Sequence, residues 1–220
     1  MASFDQTIYD TAIKYGFSPT AAKLVVAQAR FESSDYGSSV FQNNTNTSGM
    51  KFIGQPLAIR GTLAPYKERS AACKRVTEGQ VGGQGPTPCT NSDHYAKFKS
   101  VADSAADKIG RLYEKTMRGV TPDQLKNAKD ANEFADLLKK RGYYGFAAYG
   151  TPEAAREIKN YAVGLKAKLL RLKIIEFVQE GAEKTEDFVR KNPKKTIAGI
   201  VIIAGLIGFY GYWLYKKKNK

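Results

Sequence analysis

Apolar and small residues recur at helical spacing just after the N-terminal segment, and they share one face with two polar residues. The face consists of Ala21, Val25, Gln28 and Glu32, at steps of four, three and four. Ser18 can cap free backbone N–H groups, and Pro19 loses no hydrogen bond at the first helical position. Serine and glycine from Ser33 onward predict that the helix ends directly after Glu32.

A carboxylate on this otherwise neutral face is the first candidate for chemistry. A buried charge is costly, so Glu32 should either meet a cation or keep its proton. A protonated carboxyl beside a loop-lined cleft is what a general acid needs. The alternative, left open by the pattern alone, is a surface glutamate at a fraying helix end.

The same signals predict further elements. Apolar residues at helical spacing predict a first helix over Phe4–Tyr15, and Thr121-Pro122 predicts the start of a helix that runs to Lys140. Ser100 can cap a further helix. The stretch 49–92 is irregular, with a β-prone piece at Lys74–Thr77. A long helix should begin near Glu153.

The C-terminal segment 196–215 contains twenty uncharged residues, enough for a helix of about 30 Å to cross a bilayer. Lysines bracket it, and tyrosines and the only tryptophan lie near one end. We expect a single-pass C-terminal membrane anchor, in a bacterial inner membrane or the internal membrane of a virion. The predicted organisation is a globular domain over 1–165, a basic helical stalk over 166–195, the transmembrane helix, and a basic tail over 216–220.

The chain is strongly basic, with 35 Lys and Arg against 21 Asp and Glu in 220 residues and a net charge of +14. Nine basic and five acidic residues lie in 166–195, and the last five residues add four lysines, so eight of these charges are C-terminal. Such an excess indicates an anionic partner. Because no nucleic-acid-binding signature is present, we expect no nucleic acid but rather wall polymers or an anionic membrane face.

The two cysteines, Cys73 and Cys89, enclose about sixteen residues rich in glycine and proline. A disulfide between them would suit a lobe with little core and a setting outside the cytoplasm. Two cysteines and the single histidine, His94, are too few for a typical metal site. We expect no metal and no cofactor.

The segments AQARFESSDYGSS and NNTNTSGMK resemble the AQxxxESgwGxS…NNxFGxK signature of the bacterial N-acetylglucosaminidase family of peptidoglycan hydrolases, found in autolysins, flagellar wall-piercing proteins and phage lysins. The resemblance covers roughly residues 5 to 165. Two departures are the longer Ser34-Asp35-Tyr36 and Ser48 in place of an aromatic residue. The matching positions are Ala27, Gln28, Glu32, Ser33, Gly37, Ser39, Asn43, Asn44, Gly49 and Lys51.

The resemblance implies a mainly helical α+β, lysozyme-like domain with a small β-lobe, followed here by the stalk and the transmembrane helix. It implies that Glu32 is the catalytic general acid and that peptidoglycan glycan strands are the substrate. Gln28, Asn44 and Lys51 are implied as substrate-binding residues. Tyr143 resembles the family's Gly-Tyr tyrosine, which lines the sugar subsites.

A second carboxylate often assists glycoside hydrolysis as base or nucleophile. Glu68 and Glu78 are equal candidates between the polar loop and the next helix. Three functions follow from these residues: an N-acetylglucosaminidase-type hydrolase, a lytic transglycosylase that needs one glutamate, or an inactive, membrane-anchored wall-binding protein. The anchor and the absence of a signal peptide favour a lytic component of a phage particle over a bacterial wall-remodelling protein.

Overall fold

The computed structural model describes residues 4–77 and 89–191, with side chains described for 4–74 and 89–172. Contacts divide the chain into two units, Met1–Leu170 and Arg171–Lys220. The described part is mainly helical, with one small two-stranded sheet. Its helices are α1 (Phe4–Lys14), α2 (Pro19–Glu32), α3 (Ser39–Asn44), α4 (Ala71–Thr77), α5 (Val101–Lys108), α6 (Pro122–Lys126), α7 (Ala131–Lys140) and α8 (Pro152–Lys191).

Helix α2 lies at the centre of the first unit. The Ser18 hydroxyl accepts a hydrogen bond from the Ala21 amide, Pro19 opens the helix, and Glu32 is its last residue, so both predicted ends are confirmed. Nine of its fourteen residues are buried, including the polar Gln28 and Arg30. Because α2 is enclosed on nearly every side, polar groups on it must find partners inside the protein.

The sheet pairs β1 (Ala58–Leu63) with β2 (His94–Phe98) in antiparallel register, with an irregularity between Arg60 and Leu63. Asn44 fastens β1 to the end of α3. Its side-chain amide donates to the Thr62 hydroxyl at 2.7 Å, and its carbonyl accepts the Thr62 backbone amide at 2.9 Å. Gly61 must be glycine, since a Cβ there would lie 2.2 Å from the Asn44 side-chain oxygen.

The segment after the sheet's first strand differs from the sequence prediction. The β-prone residues Lys74–Thr77 are helical and belong to α4. Cys73 and Cys89 form a disulfide with an S–S distance of 2.05 Å. Asp93 fixes the same region, since its carboxylate accepts the backbone amides of Ser70 at 2.5 Å and Thr90 at 2.7 Å. These tertiary contacts outweigh the weak local preference of Val76 and Thr77 for a strand.

Two further helices deviate from expectation. The predicted helix over Thr121–Lys140 is two helices, α6 and α7, because the Asp130 side chain accepts backbone amides at the start of α7 and stops the chain from continuing. Helix α5 is capped by Ser100 as predicted. It then widens into a π-helical turn over Ile109–Tyr113, a feature often found at functional sites.

The expected fold class and localisation need correction. In residues 4–77 and 89–191, no helix is long and apolar enough to cross a membrane. The longest one, α8, carries charged residues at short intervals along its forty residues. The architecture is therefore mainly helical with a small sheet, and it does not support a transmembrane helix or a single-pass membrane protein. The segment 196–215, on which that expectation rested, lies outside the described residues.

Candidate functional site around Glu32

The side chain of Glu32 lies at the C-terminal end of α2 and keeps 15% of its surface exposed. Four side chains donate hydrogen bonds to its carboxylate. Oε1 accepts from the Tyr161 hydroxyl at 2.7 Å and from Gln28 Nε2 at 3.1 Å. Oε2 accepts from Lys108 Nζ at 3.0 Å and from the Tyr143 hydroxyl at 2.9 Å. We call these five residues the Glu32 cluster.

Lys108 is the cation that the buried carboxylate requires. It ends α5, and its side chain is only 2% exposed. Burial lowers the pKa of Lys108, whereas the charge of Glu32 and the hydrogen bond to it oppose that change. Its ammonium group also lies 5.5 Å from the ring centre of Tyr143, within reach of a cation–π interaction. Glu32 therefore has a cation beside it and is not a surface glutamate at a fraying helix end.

Gln28 lies beneath Glu32 and is completely buried. Its Nε2 donates to Glu32 and, at 3.0 Å, to the Tyr161 hydroxyl, while its Oε1 accepts from the Tyr113 hydroxyl. Both ends of the amide are therefore engaged within the protein. This predicted substrate-binding residue is placed as a positioning residue, one helical turn before the carboxylate that it orients.

Tyr143 and Tyr161 reach Glu32 from two distant parts of the chain. Tyr143 follows Gly142 in the connection between α7 and α8, and Tyr161 lies on α8. Burial raises the pKa of both hydroxyls, and the nearby charge of Glu32 raises it further. Both tyrosines therefore remain hydrogen-bond donors across the physiological pH range.

Three members of this site were not predicted: Lys108, Tyr113 and Tyr161. Lys108 had a usable signal, because it is three residues after Ala105 on the inward stripe of α5. A lysine on such a stripe requires a buried anion. Tyr161 had no local signal, since its partner Glu32 is 129 positions away.

The turn after Glu32 has an unusual backbone. Ser34, Asp35 and Tyr36 have φ values of 53°, 55° and 68°, a left-handed conformation that disfavours residues with a side chain. Two ion pairs of Asp35 stabilise this turn. Arg30 Nη1 lies 3.2 Å from Asp35 Oδ1, and Lys168 Nζ of α8 lies 2.7 Å from Asp35 Oδ2. Strained backbone of this kind concentrates at functional sites. These three residues form one of the two departures from the signature that the sequence resembles.

Two other predicted site residues, Lys51 and Glu68, lie together in a second group at the sheet. Lys51 Nζ lies 2.9 Å from Glu68 Oε2 and 4.2 Å from the ring centre of Tyr95. The Tyr95 hydroxyl donates to the same Glu68 oxygen at 2.9 Å. The hydrogen bond from Lys51 lowers the pKa of Glu68, and the bond from Tyr95 adds to this effect against the opposing influence of burial.

Glu68 shares no hydrogen-bond partner with Glu32 among the described residues. Asn44 is fully buried and fastens β1, as described above. Glu78, the other candidate for a second carboxylate, lies outside the described residues. The part of the chain that the structure describes contains no group of three or more His, Cys, Asp or Glu residues that could hold a metal ion.

Comparisons with known proteins do not assign this chain to a family. No family model and no curated protein matches it. One solved structure, described as a type VI secretion system effector-immunity complex from Pseudomonas protegens, is similar with a TM-score of 0.42 and 17% identity. The match covers 76% of this chain and 89% of that chain. Similarity at this level carries no conclusion about fold or function.

Proposed function

We propose that this protein cleaves the β-1,4 glycosidic bonds of peptidoglycan glycan strands as an N-acetylglucosaminidase-type hydrolase, with Glu32 as the general acid. The observation that carries the proposal is the hydrogen bond of 2.9 Å from Tyr143 to Glu32. The resemblance to the family assigns the acid to Glu32 and a sugar-subsite tyrosine to Tyr143. Their meeting across 111 positions is what a shared active site requires.

In the proposed reaction, Glu32 donates a proton to the glycosidic oxygen as the bond between the sugar carbon and that oxygen breaks. The proton leaves a carboxylate behind on Glu32. While Glu32 carries its proton, the hydroxyl of Tyr143 turns to accept a hydrogen bond. As the carboxylate forms, this hydroxyl turns back to donate, and the other three donors of the Glu32 cluster already face the charge.

The second half of the reaction adds water to the sugar carbon. We assign the acid step to Glu32. Glu68, which is held by Lys51 and Tyr95, and Glu78 are the candidates for the second carboxylate, which takes a proton from the attacking water. Alternatively, the acetamido oxygen of the substrate itself attacks the sugar carbon first, and water opens the product of that step.

The test is the chemistry of the new chain ends. The full chain is incubated with purified peptidoglycan, and soluble products are identified by mass spectrometry beside a Glu32→Gln variant. Reducing N-acetylglucosamine ends, absent with the variant, are the expected result. Anhydro-muramic ends would instead identify a lytic transglycosylase. Wall binding by both proteins without any release of fragments would contradict an enzymatic function.

A further inference from the structure

Phe146 is the most exposed of the described large apolar side chains. Its ring is entirely in solvent, whereas Ile59, the next in order, is 65% exposed. It takes part in none of the aromatic pairs formed by the described residues. Leaving a whole phenyl ring in water forgoes about 1.5–3 kcal/mol of burial free energy.

The backbone that carries this ring is nevertheless firmly held. The Phe146 amide donates to Glu157 Oε1 at 3.2 Å, and Glu157 is paired with the buried Lys139. Lys139 Nζ also donates to the Tyr144 carbonyl at 3.2 Å. Gly145 has φ +72°, and a Cβ there would lie 2.2 Å from the Glu157 carboxylate. The loop therefore presents the ring from a fixed position.

The same loop is part of the Glu32 site. Tyr143 donates to Glu32, and Phe146 lies three positions further along the chain, so their Cα atoms lie within about 11 Å of each other. The ring of Tyr144 stacks on Tyr161, another donor to Glu32, at 4.1 Å and 8° between planes. The loop that carries Phe146 is thus attached to the Glu32 site directly through Tyr143 and indirectly through the stacking of Tyr144 on Tyr161.

We propose that Phe146 is a stacking platform for a sugar ring of the glycan strand whose bond Glu32 protonates. The inference rests on the proposed function. A pyranose ring has an apolar face of C–H groups, and a flat, rigid aromatic side chain covers such a face with little loss of conformational entropy. A solvent-exposed ring on the firmly held loop that also carries Tyr143 meets this requirement.

The test measures affinity apart from turnover. The full chain carrying Glu32→Gln, which prevents cleavage, is titrated by calorimetry with a tetrasaccharide of alternating N-acetylglucosamine and N-acetylmuramic acid. In this Glu32→Gln background, Phe146→Ala should raise Kd for the tetrasaccharide about tenfold. Phe146→Trp, which keeps an aromatic ring at this position, should bind as tightly as the protein with Phe146. The matched control is Leu170→Ala, which removes another exposed apolar side chain (61% exposed) and should leave Kd unchanged.

In the active enzyme, Phe146→Ala should raise KM by a similar factor and leave kcat unchanged, since no member of the Glu32 cluster is altered. Equal affinity with and without the phenyl ring, while the wild-type protein still cleaves the wall, would overturn the role of Phe146 and leave the proposed function standing. Absence of wall cleavage by the wild-type protein would overturn the proposed function itself.

Discussion

The hydroxyl of Tyr143 donates to Oε2 of Glu32 at 2.9 Å, and the same oxygen accepts from Lys108. A loop residue and a helix residue thus determine together where this carboxylate oxygen lies. Because each holds Oε2 from its own direction, removing either should alter the chemistry of Glu32 without removing Glu32 itself.

Replacing Tyr143 with Phe removes one donor from Glu32 and keeps the ring beside Lys108. We expect kcat for wall cleavage to fall about tenfold, corresponding to roughly 1.4 kcal/mol of lost transition-state stabilisation. The control is Tyr149→Phe, whose hydroxyl donates to Asp136, outside the Glu32 cluster. A Tyr143→Phe enzyme as fast as Tyr149→Phe would contradict the role given to this hydroxyl.

Substitutions of Glu32 and Lys108 should have strongly non-additive effects on the free energy of unfolding, because the two side chains form an ion pair. Lys108→Met alone leaves a largely buried carboxylate without its cation and should cost about 3 kcal/mol in the free energy of unfolding. The double variant Glu32→Gln with Lys108→Met should cost clearly less than the sum of the single changes. Urea unfolding of the four proteins measures this coupling.

A matched cycle on Lys51 and Glu68, whose side chains are 28% and 37% exposed, provides the control. Their coupling should be at most about 1 kcal/mol, as for other exposed pairs. Equal coupling energies in the two cycles would contradict the view that Lys108 is the buried counter-charge of Glu32.

Helix ends were predictable where the chain carries its own local signals. Ser18, Pro19 and Ser33 define α2 without help from distant residues, and the structure agrees at both ends. The break between α6 and α7 had such a signal in Asp130. The amphipathic pattern on either side concealed it, since a continuous apolar stripe favours a single helix.

The composition of the site was predictable only in part. Sequence motifs named Glu32 and Tyr143, but not the contact between them. The position of Lys108 on α5 indicated that it needs a buried anion, but not that this anion is Glu32, 76 positions away, and Tyr161, 129 positions from Glu32, had no local signal. Gln28 was identified but given to the substrate, because its position on α2 does not reveal that Tyr113 and Tyr161 already use its amide.

Asp93 should make stability depend on pH in the acid range. Burial opposes ionisation, but hydrogen bonds from the backbone and side chains of Ser70 and Thr90 outweigh it and lower the pKa of Asp93 to about 2. A lowered folded-state pKa stabilises the protein above the unfolded value near 4, and this contribution is lost as pH falls towards 2.

Asp93→Asn should therefore destabilise the protein by about 2 kcal/mol at pH 7, with a difference from wild type that shrinks below about pH 4. Thermal unfolding at several pH values measures it, with the exposed Asp10→Asn as control. A difference that stays constant from pH 7 to pH 2 would contradict this account of Asp93.

The disulfide between Cys73 and Cys89 should stabilise the segment next to the sheet. It closes a loop across 16 positions, for which chain entropy predicts about 3 kcal/mol. Replacing both cysteines with serine should lower the free energy of unfolding by that order, and reduction of the wild-type protein should match it. Unfolding curves that coincide with and without the bond would contradict the prediction.

The most direct test of the central claim compares two glutamates in one assay. Initial rates of fragment release from purified peptidoglycan are measured for wild type, Glu32→Gln and Glu68→Gln, with circular dichroism to verify that each variant is folded. Loss of a general acid lowers rates by about 10²–10⁴-fold. Glu32→Gln should therefore lower the initial rate of fragment release by at least about 100-fold, and Glu68→Gln should lower it far less. A folded Glu32→Gln protein that cleaves the wall at the wild-type rate would contradict the account.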